Sequence, residues 1–149
     1  MKHKGSAFEY AEERDKDLMR AYTILLQTCD NIVMDDIWKN LANMPAERFW
    51  VSEERAAIVI ARMMKGDKLE KMRSNSREMY EEIYRRVLIM KEESPNMSLA
   101  DIIFKVIRQP APKFYLTPLS LQVIVTRLKK RTFEKRRQRL RHCITPIKK

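Results

Sequence analysis

The chain repeats part of itself at a fixed offset of 65 residues. Residues 36–65 align with residues 101–130 without a gap, giving 7 identities and 9 conservative pairs. The clearest match joins the segment from Pro45 to Ser52 with the segment from Pro110 to Thr117. One offset kept over this length is typical of a duplicated structural unit, so we expect the two copies to fold alike.

Each copy is predicted to form three helices. Apolar residues at helical spacing predict four of these, over 8–29, 32–44, 76–92 and 98–109. Ser52 and Thr117 are typical helix caps, and each indicates the start of a third helix. Only two glycines are present, which argues against a fold rich in β-hairpins. The predicted fold class is all-α, a tandem repeat of two three-helix units with a long basic C-terminal helix or arm.

The domain organisation follows from the repeat and from a polar linker over residues 66–75. We expect a first three-helix repeat over 1–70, a second over 71–130 and a basic C-terminal arm over 131–149. One repeat alone is close to the lower size limit for a stable core, so the two are expected to fold against each other. The apolar triplets Ile58–Ile60 and Val123–Val125 are the predicted shared buried surface.

Aromatic residues recur in the segment that follows each proline. Phe49 and Trp50 in the first copy correspond to Phe114 and Tyr115 in the second. We interpret them mainly as packing anchors that fix the angle between helices, with stacking of Trp50 or Tyr115 on a base as the alternative. The two extended stretches are also expected to pair as a miniature sheet across a pseudo-two-fold axis.

Positive charge is concentrated at the end of the chain. The whole chain has 31 Lys and Arg against 20 Asp and Glu, a net charge of +11. Residues 1–110 contain 19 of each sign, whereas residues 111–149 contain 12 basic residues and only Glu134 as an acid. Such density neutralises phosphates with release of counterions, and arginine adds bidentate contacts to phosphate or guanine. The predicted nucleic-acid-binding residues are Lys113, Arg127, Lys129, Lys130, Arg131, Lys135, Arg136, Arg137, Arg139 and Arg141.

We call residues 127–141 the basic segment. Apolar residues continue through it at Leu128, Phe133 and Leu140, so the third helix of the second copy is expected to extend along its length. A solvated face that only aids solubility is the alternative, but such faces usually interleave both signs of charge.

Catalytic and metal-binding patterns are absent from the sequence. No Gly-x-Ser-x-Gly, His-Glu-x-x-His or Walker motif occurs. The two cysteines, Cys29 and Cys143, and the two histidines, His3 and His142, lack the spacing of a zinc site. We therefore expect no enzyme activity, no cofactor and no metal. The lack of an apolar leader or a long apolar run predicts a cytoplasmic protein that does not bind membranes.

These observations favour a non-enzymatic DNA-binding protein whose second repeat and basic segment contact the phosphate backbone. Duplex DNA is favoured over RNA as the partner. The first repeat, which is less basic, would brace the second repeat or bind a protein. Two alternatives stay open: an RNA-binding accessory factor, and a helical adaptor whose basic segment docks on an acidic protein.

Two stretches of the sequence resemble uncharacterised small basic proteins encoded in Bacteroidota genomes, often in prophages or mobile elements. The resemblance rests on residues 48–56, Arg-Phe-Trp-Val-Ser-Glu-Glu-Arg-Ala, and on residues 109–116, Gln-Pro-Ala-Pro-Lys-Phe-Tyr-Leu. It implies no established activity or functional residues. In outline, the tandem three-helix units are also similar to Myb-type or homeodomain-type DNA-binding arrays. The gap from Pro45 to Val51 is longer than the usual helix-turn-helix connection, which departs from that pattern.

Overall fold

The computed structural model describes residues 10–28 and 34–144, and this part of the chain is helical. Its six helices are α1 (Ala11–Thr28), α2 (Met34–Ala42), α3 (Glu53–Met64), α4 (Ser74–Glu93), α5 (Leu99–Ile107) and α6 (Pro118–Ile144). The all-α prediction is confirmed. The predicted helix ends at residues 8, 9, 29, 32 and 33 fall outside the described residues.

Short polar residues fix where three of the helices begin. The hydroxyl oxygens of Ser52, Ser98 and Thr117 each accept a hydrogen bond from the backbone N–H three residues further on, at 3.1, 3.2 and 3.1 Å. Each bond satisfies one of the N–H groups that a helix leaves without a partner in its first turn.

Gly66 ends α3. Its φ of 100° lies in the left-handed region, which glycine adopts without steric cost. The N–H of Gly66 donates to the carbonyl of Met63 at 3.0 Å, and the N–H of Asp67 donates to the carbonyl of Arg62 at 3.1 Å. This is the hydrogen-bond pattern of a Schellman cap, and it turns the chain out of α3 toward α4.

The third helix of each predicted repeat packs on the other repeat. Helices α1 and α2 contact each other and α6, while α4 and α5 contact each other and α3. Fully buried residues fill both groups, with Leu18, Leu41 and Leu121 in the first and Ile60 and Ile83 in the second. The two halves of the chain are therefore joined by an exchange of helices.

An antiparallel β-bridge joins the two halves of the chain. It pairs the segment between α2 and α3 with the segment between α5 and α6. The N–H of Ala46 donates to the carbonyl of Ala111, and the N–H of Ala111 donates to the carbonyl of Ala46, both at 3.0 Å. Close by, the N–H of Phe49 donates to the carbonyl of Ile107 at 3.0 Å. The predicted miniature sheet is not formed: within the described residues the two stretches pair only at this isolated bridge.

The predicted shared surface is only partly correct. Val59, Ile60 and Val125 are fully buried, but Ile58 and Val123 are exposed. Consecutive residues of an α-helix point in directions about 100° apart, so a run of three cannot lie wholly on one buried face.

The C-terminal helix continues through the basic segment as predicted, but its apolar stripe does not. Leu121 and Val125 are fully buried, whereas Phe133 and Leu140 are exposed. At about 100° per residue, Phe133 and Leu140 are rotated roughly 100–120° around the helix from Leu121. They therefore lie on a different face from the residues that anchor α6 in the core.

The helix exchange predicts that neither half of the chain folds alone. A fragment of residues 1–70 lacks α6, and a fragment of residues 71–149 lacks α3, so each exposes apolar surface that the full chain buries. We expect neither fragment to unfold cooperatively as a monomer in circular dichroism and sedimentation, and an equimolar mixture to recover the transition. Two independently cooperative monomeric fragments would contradict this interpretation of the fold.

Phe49 is expected to be a major stabilising side chain because it is 1% exposed at the junction of the halves. Replacing it with alanine should lower the free energy of unfolding by about 3–5 kcal/mol, the usual cost of truncating a buried phenylalanine. Chemical denaturation measures this directly. Ile58→Ala is the matched control on an exposed position of α3, and it should change stability by less than about 1 kcal/mol.

Candidate nucleic-acid interface

Helix α6 is anchored at one end and exposed at the other. Thr117 caps it, and Pro118 occupies the first helical position, where a missing N–H costs nothing. Leu121 and Val125 are buried and Leu128 is half-buried, but every residue from 129 to 143 is exposed. At 1.5 Å per residue, the helix extends about 24 Å beyond Leu128.

The exposed part of α6 contains most of the predicted binding residues. Eight basic residues and one acid, Glu134, lie between residues 129 and 143. The basic residues are distributed around the helix rather than along one face, since their spacing covers all directions at about 100° per residue. The predicted positions Arg127, Lys130, Arg131, Lys135, Arg136, Arg137, Arg139 and Arg141 are all exposed on this one helix.

Two of the predicted binding residues are held by the body of the protein. The Lys113 ammonium lies 3.2 Å from the Glu78 carboxylate and 5.9 Å from the ring centroid of Tyr115. The Lys129 ammonium donates to the Tyr22 hydroxyl at 2.5 Å and lies 4.4 Å from the centre of its ring. A phosphate that binds either lysine must compete with these internal partners.

Acidic residues of α1 lie at the base of the exposed helix. Glu12 and Asp15 line an open groove of about 490 Å³ together with Lys16, Arg131 and Lys135. Their carboxylates lower the positive potential on the side of α6 that faces α1. The face turned away from α1 and the distal turns of the helix are therefore better placed to meet an anionic partner.

The aromatic segments are built into the fold. Phe49, Phe114 and Tyr115 are buried, and the rings of Phe49 and Tyr115 stack with their centroids 6.1 Å apart. The Arg86 guanidinium lies 4.9 Å from the centroid of the Phe49 ring. Buried rings cannot stack on a base without local unfolding, so their geometry supports the packing interpretation for these three residues.

The indole of Trp50 is hydrogen-bonded to the buried carboxylate of Asp17. The sequence patterns do not single out Asp17. Asp17 is 2% exposed, and its carboxylate accepts hydrogen bonds from the Trp50 indole at 2.8 Å and from the Glu47 backbone at 2.9 Å. The Arg20 guanidinium donates to the same carboxylate at 2.5 Å. Asp17 thus fixes the segment from Pro45 to Ser52 onto α1. The only sequence signal for this role is an acidic residue on the apolar face of a helix.

Other kinds of site lack support in this part of the molecule. Among residues 10–28 and 34–144, no group of three or more His, Cys, Asp or Glu side chains is arranged to hold a metal ion. Over the same residues, none of the helices combines the length and apolarity needed to cross a bilayer.

Comparison with known proteins adds no relationship: no family model, no curated protein and no solved structure matches the chain.

Tyr115 should make stability depend on pH in the alkaline range. Burial and the nearby carboxylates of Glu82 and Glu78 raise the pKa of its hydroxyl to about 12. In the unfolded chain the same group ionises near pH 10, so its contribution is fully present below pH 10 and is lost as the pH rises through about 12. We expect Tyr115→Phe to lose less stability than the wild type over this interval, measured by denaturation at fixed pH. Equal losses in the two proteins would contradict this assignment.

Proposed function

We propose that the chain is a non-enzymatic DNA-binding protein whose basic segment contacts the phosphate backbone of duplex DNA. The observation that carries the proposal is a protruding helix with charge of almost one sign. Every residue from 129 to 143 is exposed, and Glu134 is the only acid among them. Neutralising several phosphates with one such helix releases condensed counterions, which is a large source of affinity that does not depend on sequence.

The charge pattern itself favours an anionic partner. Arg127, Arg131, Lys135 and Arg139 follow one another at intervals of four residues, so like charges lie side by side on the helix surface. Each such pair destabilises an isolated helix by roughly 0.2–0.5 kcal/mol. The exposed turns also lack tertiary packing to offset this repulsion. Bound phosphates would remove it.

The shape of the helix favours DNA over double-stranded RNA. The major groove of B-form DNA admits an α-helix, whereas the deep, narrow major groove of A-form RNA does not. A single helix whose exposed turns continue about 24 Å beyond Leu128 can therefore enter or follow the groove of DNA. An RNA-binding accessory role remains the alternative, through single strands or loops. A cytoplasmic location, where nucleic acid is accessible, is part of the proposal.

The proposal also includes a duplicated architecture. Helices α2 and α5 have the same length, and their bounds differ by 65 residues, as do the first residues of α3 and α6. The bridged residues Ala46 and Ala111 are separated by the same offset. These relations support two copies of a three-helix unit that exchange their third helices. On this basis α6 matches α3 as far as Lys129, and the exposed turns beyond it have no counterpart in the first copy.

Removing positive charge from the basic segment should weaken DNA binding and make the binding constant depend less on salt concentration. We expect substitution of five residues by glutamine, at Arg131, Lys135, Arg136, Arg137 and Arg139, to reduce the slope of log K against log salt by about 4. The reason is that the slope on B-form DNA changes by about 0.9 for each phosphate that the protein no longer neutralises. Fluorescence anisotropy with a labelled duplex across a salt series measures both the affinity and the slope.

The matched control removes the same amount of charge elsewhere. Five exposed lysines outside the segment are replaced by glutamine, at Lys39, Lys65, Lys68, Lys91 and Lys105. This variant should keep a slope within about 1 of the wild type. Equal effects of the two variants would show that net charge, and not the protruding helix, determines binding. An unchanged affinity and slope in the first variant would overturn the proposal.

A further inference from the structure

A second feature of α6 lies on the face turned away from the core. Its exposed large apolar side chains are Leu119, Val123, Phe133 and Leu140, which are 70%, 57%, 65% and 58% exposed. Together with Thr126, Lys130 and Arg137, they form a series in which intervals of four and three residues alternate. We call these seven residues the outer seam. Alternating intervals of four and three define the contact face of a coiled-coil helix.

The outer seam is long enough to receive another helix. From Leu119 to Leu140 it runs through three heptads, about 32 Å of helix. Its first two apolar residues lie beside the folded body, and its last two lie on the protruding turns. The seam thus has two apolar pairs on one line of the helix, separated by Thr126 and Lys130. Isolated exposed apolar residues are common on protein surfaces, but four on one heptad-spaced line indicate a helix-binding face.

The charges on and beside the seam determine what can cover it. Lys130 and Arg137 lie within the seam, and Arg136 occupies one of the positions that flank it. Flanking charges select the partner helix in coiled coils, because like charges across the interface repel. A second copy of this chain in parallel register would place Lys130 against Lys130 and Arg137 against Arg137, with Glu134 as the only acid beside the seam. A helix with acidic residues at the facing positions would pair with them instead.

We propose that the outer seam binds an acidic amphipathic helix of a partner protein, with apolar side chains against Leu119, Val123, Phe133 and Leu140. This interaction goes beyond the proposed binding of DNA. It adds apolar contacts that phosphate does not need, while Lys130, Arg136 and Arg137 are available to either partner. Arg131, Lys135 and Arg139 lie on the opposite side of the helix, about 100–180° around the axis from Phe133. Substituting the exposed apolar residues Phe133 and Leu140 therefore tests the helix contact while leaving every cation of the basic segment in place.

The experiment uses the full chain and a synthetic acidic peptide. The peptide contains about four heptads, with leucine at the two core positions and glutamate at the flanking positions. A second peptide has the same composition and charge, but its leucines are distributed around the helix. We expect isothermal titration calorimetry to show binding of the first peptide at least about tenfold tighter than the second. Equal affinities would mean that charge alone accounts for binding and would overturn the proposal.

Variants of the chain make the test specific. Phe133→Ser combined with Leu140→Ser should weaken binding of the patterned peptide about tenfold. Both side chains are exposed, so the unfolding transition should stay at the wild-type position. The affinity of this variant for duplex DNA should change by no more than about twofold, which separates the seam from the proposed function. The opposite-face variant, Arg131→Gln with Lys135→Gln, should retain the preference for the patterned peptide.

Sedimentation velocity of the chain without peptide tests whether a second copy of this chain covers the outer seam. A monomer at all concentrations supports the proposal. A dimer that is abolished by Phe133→Ser with Leu140→Ser would assign the seam to a second copy of this chain and overturn it.

Discussion

The packing of α3 and α6 on opposite halves of the chain is the constraint on which the rest of the structure depends. Each half contributes two helices to its own core and receives the third from the other half. The crossing is closed by two hydrogen bonds between Ala46 and Ala111, and the stacked rings of Phe49 and Tyr115 fill the space beside it. Because the exchange fixes the first turns of α6 between α1 and α2, it also fixes the direction in which the helix leaves the body.

The backbone is locally strained where the two halves of the chain meet. Tyr115 has a φ of 57°, a left-handed conformation that bulky residues rarely adopt. Such a conformation costs of order 1 kcal/mol or more, and burial of the ring against Phe49 offsets it. In the first half of the chain, the Asp17 carboxylate accepts hydrogen bonds from a guanidinium, a backbone N–H and an indole N–H. These bonds hold the segment from Pro45 to Ser52 on α1. Both contacts set the angle between helices: the Tyr115 ring is buried, and Trp50 is half-buried with its indole N–H bound to Asp17.

The C-terminal turns of α6 lack the buried contacts that hold its first turns in the core. Its residues 129–143 are exposed and include eight basic residues and one acid, so like charges repel along the helix without a buried face to offset them. Phosphate would meet the cations that surround the helix. An acidic helix would also cover the apolar line from Leu119 to Leu140. The two proposals share the cations Lys130, Arg136 and Arg137 and differ in the apolar line, which phosphate does not need.

The sequence by itself determined the helical class, the caps at Ser52 and Thr117 and the continuation of α6 through the basic segment. These are local properties, since helical periodicity, capping hydroxyls and the scarcity of glycine act within a few residues. It also located the basic residues of the candidate interface. Only the tertiary structure decided which half each third helix packs on, because apolar stripes of similar composition can be buried against either partner. It alone showed that Ile58 and Val123 face solvent, that Asp17 is buried, that Lys113 and Lys129 have internal partners, and that Phe133 and Leu140 lie off the anchoring face. Exposure and charge pairing depend on residues distant in the chain, and a single sequence does not bring those residues together.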